Sequence, residues 1–539
     1  MKSFFKNLRC ELSCCLIFLA CVSLARAEKW SFGVISDTQQ SPANARNQSV
    51  AVDVVDAINR QFVAAGVDLV LQTGDLTYND SPAGLDMRAA HNEALKTAGI
   101  AFYPVRGNHD GSMAVARHFP KAFPGLPGAL GSGRGSSPNL AGAGGLAYAF
   151  VHKGVKFIFL DSFNMDDGKG GSIAYSVGDY QPWIDAELAA TDHVHAFVLS
   201  HKPLLSQAHK DNLFGNPKDP KDPGDIQPQM QNAFFASLAG RKVRYYLCGH
   251  DHKHHRAMVE SPDGKSRLQQ IIGQSDSLFA GKKGVFTTYG SRPPFSPRET
   301  PLAQEGEQRI GYYIYSIDGG RVEARYYSTP LESFAGPSPA KDQKTAPEWS
   351  LRDVYGCHLN GAEFLVRPGQ AYRGLSHAIS SGNGFAGTRF EFLDGANTGA
   401  GATNDGRPCS VLVSAGWTPK AAAGGMLRSD ALTIWGLPDR TGIGQTDAHV
   451  LALSFDATGL DENTIRGGGV ILASRNAEGQ WENAASVKGG GTLRFAARAY
   501  DPSTDNHPGT HGVDMAGRVA WAVVDHGGEF AVMKQEGFH

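Results

Sequence analysis

Five short polar motifs punctuate the first half of the chain, and each follows an apolar run. They are Ser36-Asp37-Thr38-Gln39, Thr73-Gly74-Asp75-Leu76-Thr77-Tyr78, Gly107-Asn108-His109-Asp110, Ser200-His201-Lys202-Pro203 and Cys248-Gly249-His250-Asp251-His252. Carboxylates neutralise cations, imidazoles donate nitrogen and an Asn carbonyl adds a neutral oxygen, a donor set suited to a pair of metal ions. Taken singly each motif is weak, because a Gly-Asp pair is commonly a turn and an isolated His commonly a hydrogen-bonded structural group. Their placement strengthens them. Ligands of open α/β sheets gather at the carboxyl ends of strands, so five motifs at five strand ends converge on one place.

The elements that must position these motifs are legible between about 30 and 330. Apolar runs at 30–36, 67–72, 102–105, 146–150, 155–160, 195–200 and 243–247 read as strands. Helical spacing places helices over 52–62, stopped by Gly66, and over 85–98, 182–190 (opened by Pro182) and 227–238. Alternation of this kind predicts a layered α/β domain, bounded here at 28–334. The three prolines and sparse apolar content of 334–349 read as a linker, assigned to 335–350 and expected to let the two parts be separated. From 351 to 539 the texture is alternating short strands with Gly, Asn and Asp turns, which predicts an all-β sandwich as an accessory domain. Turns at 476–479 and 525–528 read as hairpin connections.

Asp, then Gly-Asp, then Gly-Asn-His-Asp, then His, then Gly-His-Asp-His, each after a strand, resembles the calcineurin-like metallophosphoesterases over about 30 to 330. The resemblance implies a four-layer α/β/β/α sandwich and hydrolysis of phosphate monoesters or diesters by a hydroxide bridging two metal ions. It implies that Asp37 and His252 hold one metal, that Asn108, His201 and His250 hold the other, and that Asp75 bridges them. His109 would stand beside the phosphate, stabilising its charge or protonating the leaving oxygen. One position departs from the family pattern: Gln39 stands where a His is common, and its amide oxygen is a weaker donor. Tyr78 and the run Val198-Leu199-Ser200-His201 also look like motifs of purple acid phosphatases, in which the Tyr is a metal ligand. The first motif lacks the glycine of those enzymes. The cofactors implied are two divalent or mixed-valence transition metal ions, Fe, Mn or Zn. Arg106 and Lys202 flank ligand motifs and are candidates to bind a phosphate oxygen. His254 and His255 are expected at the rim of the site, and His209 is read as structural or solvent-exposed.

The start of the chain, with Lys2, Lys6 and Arg9 ahead of an apolar stretch and Ala25-Arg26-Ala27, reads as an export signal over 1–27. The expected location is therefore the periplasm or the medium, with acylation at Cys21 as an alternative. Later segments offer no run of about 20 apolar residues long enough to span a bilayer. Four of the seven cysteines lie in that signal, which leaves Cys248 as a buried thiol and Cys357 and Cys409 as a candidate pair. A net charge of -2 gives no basic footprint for nucleic acid; the partner that the resemblance implies is a small phosphate ester. The rival of another class is a surface-binding protein that keeps the phosphoesterase fold as scaffold; the intact set Asp75, Asn108, His109, His201, His250 and His252 argues against it.

Overall fold

The computed structural model describes residues 29–40, 49–129, 135–218, 226–241, 243–274, 276–277, 296–305, 309–334, 347–359, 361–367, 376–378, 388–393, 409–418, 426–437, 445–485 and 492–535. The expected signal and most of the expected linker lie outside these residues. Among the described residues no helix is long and apolar enough to cross a membrane.

The elements follow in the order β1 (Trp30–Ile35), α1 (Val52–Ala65), β2 (Leu69–Gln72), α2 (Pro82–Ala90), α3 (Glu93–Thr97), β3 (Ala101–Pro104) and α4 (Met113–Ala122). Next come β4 (Tyr148–His152), β5 (Val155–Phe159), β6 (Met165–Asp166), β7 (Ser172–Ile173), α5 (Val177–Ala189), β8 (His195–Leu199) and α6 (Pro228–Gly240). They continue as β9 (Tyr245–Cys248), β10 (His254–Glu260), β11 (Arg267–Ile272), β12 (Glu299–Glu305), β13 (Arg309–Asp318), β14 (Arg321–Pro330) and β15 (Ser350–His358). One sheet runs β15-β14-β13-β1-β2-β3 and the other β12-β10-β11-β9-β8-β5-β4.

The two sheets face each other across an aromatic core. Phe32 of β1 meets Phe157 of β5 and Phe197 of β8 edge-on at 5.1 and 5.2 Å. The period-two alternation of a strand decides the layers: Tyr245 of β9 points inward to Tyr315 at 6.2 Å, and the next residue, Tyr246, points outward to Phe234 of α6 at 6.3 Å. On the far side of the first sheet, Ile58 and Phe62 of α1 and Leu95 of α3 pack on Ile35, Val70 and Tyr312. The implied α/β/β/α layering is what the chain forms.

Local departures have local causes. The helix expected over 85–98 is two helices, because the Asn59 side chain donates to the His91 carbonyl at 2.7 Å and takes it out of the helical ladder. Helix α5 starts at Val177 rather than at Pro182: Ser176 and Asp179 form a capping box, and Pro182 inside the helix forfeits only the bond to the Gly178 carbonyl.

The domain boundary also moves. Strand β15, assigned by sequence to the second domain, pairs antiparallel with β14 from Arg321↔His358 to Ser328↔Ser350 and is the edge of the first sheet. Trp349 just before it packs on Tyr312 at 5.0 Å. Asp353 of β15 reaches the fully buried His254 at 3.3 Å and Arg256 at 3.0 Å. The segment went with the later sandwich by sequence because it follows the proline-containing stretch, whereas its Asp353 is the partner of buried groups on β10.

The second module comprises β16 (Ala362–Val366), β17 (Ser376–Ala378), β18 (Arg389–Phe392), β19 (Val411–Thr418), β20 (Ala431–Trp435), β21 (His449–Ser454) and α7 (Glu462–Arg466). It is completed by β22 (Val470–Arg475), β23 (Trp481–Asn483), β24 (Arg494–Ala496), β25 (Thr510–Asp514), β26 (Val519–Val524) and β27 (Gly528–Lys534). Its sheets run β16-β19-β20-β27-β22-β23 and β17-β18-β21-β26-β25-β24, with a core that includes Phe390, Leu432, Leu451, Leu472 and Val532 between them. The 476–479 turn is a hairpin joining β22 to β23. The 525–528 turn is not, because β26 and β27 belong to opposite sheets and the turn carries the chain across the sandwich. The module is seated on the first domain through Met258, Leu302 and Leu412 and through the Ser410 amide, which donates to the Pro301 carbonyl at 2.8 Å. Cys248, Cys357 and Cys409 are all buried and none is in a disulfide, so the candidate pair does not form.

Candidate metal centre

Each ligand motif is the turn that leaves a strand, and the turns are fastened to one another before any side chain is considered. The Asp37 amide donates to the Gly74 carbonyl at 3.2 Å and the Gly249 amide to the His201 carbonyl at 3.0 Å. The fully buried Asp110 carboxylate accepts from the amides of Leu76, Thr77 and Gly107, at 2.8 to 3.1 Å, and so locks the second turn to the third. Two glycines make the approach possible. A Cβ on Gly107 would stand 2.0 Å from Asp75 Oδ1, and one on Gly74 (φ +97°) would stand 2.4 Å from His201 Nδ1. Asp37, Asp75, His250 and His252 themselves hold positive φ of 49°, 47°, 75° and 57°. Side chains rarely adopt that conformation, and its concentration on four residues of one cluster marks a site whose backbone is held by its surroundings.

The side-chain atoms fall into two sets. In the first, the Gln39 amide nitrogen stands 2.9 Å from Asp75 Oδ2 and 3.2 Å from His252 Nε2, which is 3.5 Å from Asp37 Oδ1. In the second, Asn108 Oδ1 lies 2.9 Å from His201 Nε2 and 2.9 Å from His250 Nδ1, the two ring nitrogens are 3.2 Å apart, and His201 Nε2 is 3.4 Å from Asp75 Oδ1. Donors held about 2.0 to 2.2 Å from one ion stand roughly 2.8 to 3.6 Å from each other at octahedral or tetrahedral angles. Every one of these separations lies in that span. Asp75 contributes one carboxylate oxygen to each set. The residues present therefore fit two metal ions, with Asp37, Gln39, Asp75 and His252 around one and Asp75, Asn108, His201 and His250 around the other. Gln39 presents its nitrogen rather than its oxygen to the first set.

Charge at the site reflects carboxylates and imidazoles buried against one another. Burial opposes a charge on Asp75, yet His201 and His109 beside it hold its carboxyl well below the usual range. Burial, with Asp75 adding to it, pushes Asp37 up to about 7. Burial likewise opposes a proton on His201, but Asp75 and Asp37 outweigh it and raise the ring to about 9. Its Nδ1 donates to the Thr73 carbonyl at 2.9 Å, so the extra proton sits on Nε2, among the oxygens of Asp75 and Asn108. His252, by contrast, is lowered to about 3 by burial and by its histidine neighbours, which leaves it neutral with a lone pair to give.

The remaining expected residues divide. His109 is half-buried; its amide donates to Asp75 Oδ1 at 2.9 Å and its Nδ1 to the Tyr78 carbonyl at 3.1 Å. Tyr78 stacks on that imidazole with centroids 5.0 Å apart. Lys202 pairs with Asp211 at 2.9 Å at the rim. Arg106 is no phosphate-binding cation: it is fully buried in a bidentate pair with Asp161, at 2.7 and 2.9 Å, and donates to three backbone carbonyls. A strand-end arginine next to a ligand motif looks the same in sequence whether it faces the site or the core. His254 and His255 are not at the rim either but fully buried on β10, bonded to Tyr313 and Glu299.

Sequence reasoning missed His209 and Asp211. The His209 ring lies 4.0 Å from that of His250, and its Nδ1 stands 3.0 Å from Asp251 Oδ1. Asp211 accepts from His250 Nε2 at 3.1 Å, which fixes the tautomer that leaves Nδ1 facing the second set. Both sit on an irregular loop with no periodicity to place it; the nearest signal was its position shortly after the His201 motif.

Residues 31–254 match the family model of the calcineurin-like phosphoesterases, a span that holds every one of the ligands above. No curated protein matches the chain. Among solved structures, a dimetal phosphatase from Danio rerio is 14% identical, covering 55% of this chain and 95% of its own, with a TM-score of 0.34. Purple acid phosphatase PPD1 from yellow lupin (Lupinus luteus) is 13% identical over 61% of this chain and 54% of its own, at a TM-score of 0.38. PhoD is 14% identical over 61% and 70%, at 0.40. The turns, the two donor sets and the matched span agree: residues 31–254 form a domain similar to the calcineurin-like phosphoesterases.

Proposed function

We propose that the chain cleaves phosphate monoesters or diesters with two metal ions and works outside the cytoplasm. The observation that carries the reading is the Asp75 carboxylate, one oxygen of which belongs to each donor set. The mixed oxygen and nitrogen donors suit Fe, Mn or Zn. Bound there, the two ions supply Lewis-acid stabilisation of the phosphoryl oxygens and a nucleophile drawn from water near neutral pH.

The chain's own residues do the rest. With Nδ1 committed to the Tyr78 carbonyl, His109 has Nε2 as the atom that meets the substrate, either to hand a proton to the leaving oxygen or to stabilise charge on the phosphoryl group. Stacking by Tyr78 holds the plane of that ring. His209 is held through Nδ1 by Asp251, so its Nε2 is a second hydrogen-bonding atom, beside His250. Export rests on the basic, apolar and small-residue order of 1–27.

The test is to strip the purified chain with a chelator, reload it with Fe, Mn or Zn, and assay phosphomonoesters, cyclic nucleotides and phosphodiesters. Turnover that appears only as the second ion binds supports the reading. A chain that holds two ions and hydrolyses none of the panel would leave the scaffold alternative standing instead.

A further inference from the structure

Gln39, where the chain departs from the family pattern, is hemmed in at both ends of its amide. Nε2 faces Asp75 Oδ2 and His252 Nε2, while Oε1 stands 3.0 Å from Ser277 Oγ. Ser277 is itself buried, 5% exposed, and its Oγ also lies 2.6 Å from the Asp37 carbonyl oxygen. A serine hydroxyl carries one hydrogen and can accept as well as donate. Between two carbonyl oxygens it can give that hydrogen fully to only one, and the nearer is Asp37.

Turning the Gln39 amide over exchanges oxygen for nitrogen at almost no change in volume. The amide N–H then donates to Ser277 Oγ, the Ser277 hydroxyl donates to the Asp37 carbonyl, and all three groups are satisfied. Oε1 arrives beside Asp75 Oδ2 and His252 Nε2. There the oxygen faces a carboxylate and a ring lone pair, and around a cation these three atoms would be convergent donors.

We infer that Ser277 is a positioning residue for the first metal, its hydroxyl accepting from the turned amide so that Gln39 presents oxygen to the ion. The serine and the glutamine together do what a histidine ring at position 39 would do alone. This rests on the two-metal reading above.

The test is a titration of metal-free, full-length protein with cobalt(II), following stoichiometry by elemental analysis and ligation by visible absorption. Ser277→Ala should weaken one of the two sites by about 10- to 100-fold, the span typical when a ligand loses its hydrogen-bonding partner. Ser277→Thr, which keeps the hydroxyl, should leave both sites as they were. In a Gln39→His background the Ser277→Ala change should cost nothing further. If Ser277→Ala unfolds the parent but not the Gln39→His chain, the inference stands; if it unfolds both, Ser277 serves the fold alone and the inference falls. It falls equally if Ser277→Ala titrates like the parent, or weakens the Gln39→His chain as much. A parent chain that binds fewer than two ions overturns the two-metal reading itself, a separate failure.

Discussion

Gly107→Ala tests the centre at its tightest point. The added Cβ would stand 2.0 Å from Asp75 Oδ1 and 2.3 Å from the Asp75 amide nitrogen, whereas real Cβ atoms essentially never approach a neighbour within 3.0 Å. Either the bridging carboxylate or the turn carrying Asn108 must therefore retreat by at least about 1 Å, several times the roughly 0.2 Å within which metal–ligand distances are held. Backbone cannot yield easily, because the Gly107 amide is tied to Asp110 at 3.1 Å and the His109 amide to the same Asp75 oxygen at 2.9 Å. Since Asp75 serves both donor sets, both ions should be lost together, and a misplacement of this size costs about 10²-fold or more in turnover. Gly240→Ala is the control: a Cβ there meets nothing within 4 Å, so metal content and activity should be unchanged. The assay is elemental analysis of the purified chains after dialysis, with circular dichroism to show that both fold. A folded Gly107→Ala protein with two tightly held ions would refute the placement of Asp75 as the bridge.

Three further outcomes follow from the same geometry. His109→Ala should keep its metal content and lose about 10² to 10⁴ in kcat, with a smaller loss on an ester of an acidic phenol than on an alkyl ester; a variant stripped of metal would place His109 among the ligands instead. Above about pH 7, where Asp37 has ionised, metal affinity should rise by about tenfold per pH unit until His201 has lost its proton near pH 9, because burial is outweighed there by Asp75 and Asp37 and the ring must be neutral to bind; competition titrations from pH 7 to 10 that show no such rise would refute it. A chain ending near 335 should be markedly less stable than one ending after Leu359, since losing Asp353 leaves Arg256, 7% exposed, without its carboxylate at a cost of about 3 to 5 kcal/mol. Equal thermal midpoints for the two chains would show that β15 is dispensable.

The residues that gather at the strand ends were legible in the sequence because each is chained to a pattern: an apolar strand fixes where the turn begins, and a glycine, Asn or His beside a carboxylate is conspicuous at that spot. What escaped depends on contacts between distant segments. Arg106 carries the same local signature whether it points to the site or to Asp161, 55 residues away. Ser277 and His209 follow no periodicity and become partners of Gln39 and His250 only once both sheets have closed. Strand β15 alternates as an edge strand of either domain would, and only the buried His254 and Arg256 decide which sheet needs its Asp353.

The place of β1 has a consequence for how the molecule comes into being. This strand, first in the chain, is interior to its sheet, with β2 on one side and β13 on the other in the register Trp30↔Ile317. Its second neighbour is therefore synthesised almost 290 residues later, and the sheet gains its last strand only when His358 has been made. Until β13 is made the strand that leads to Asp37 has an open backbone edge, and closing so long a loop is entropically slow. Completion of the two donor sets is thus a late event of folding, after most of the first domain has been synthesised.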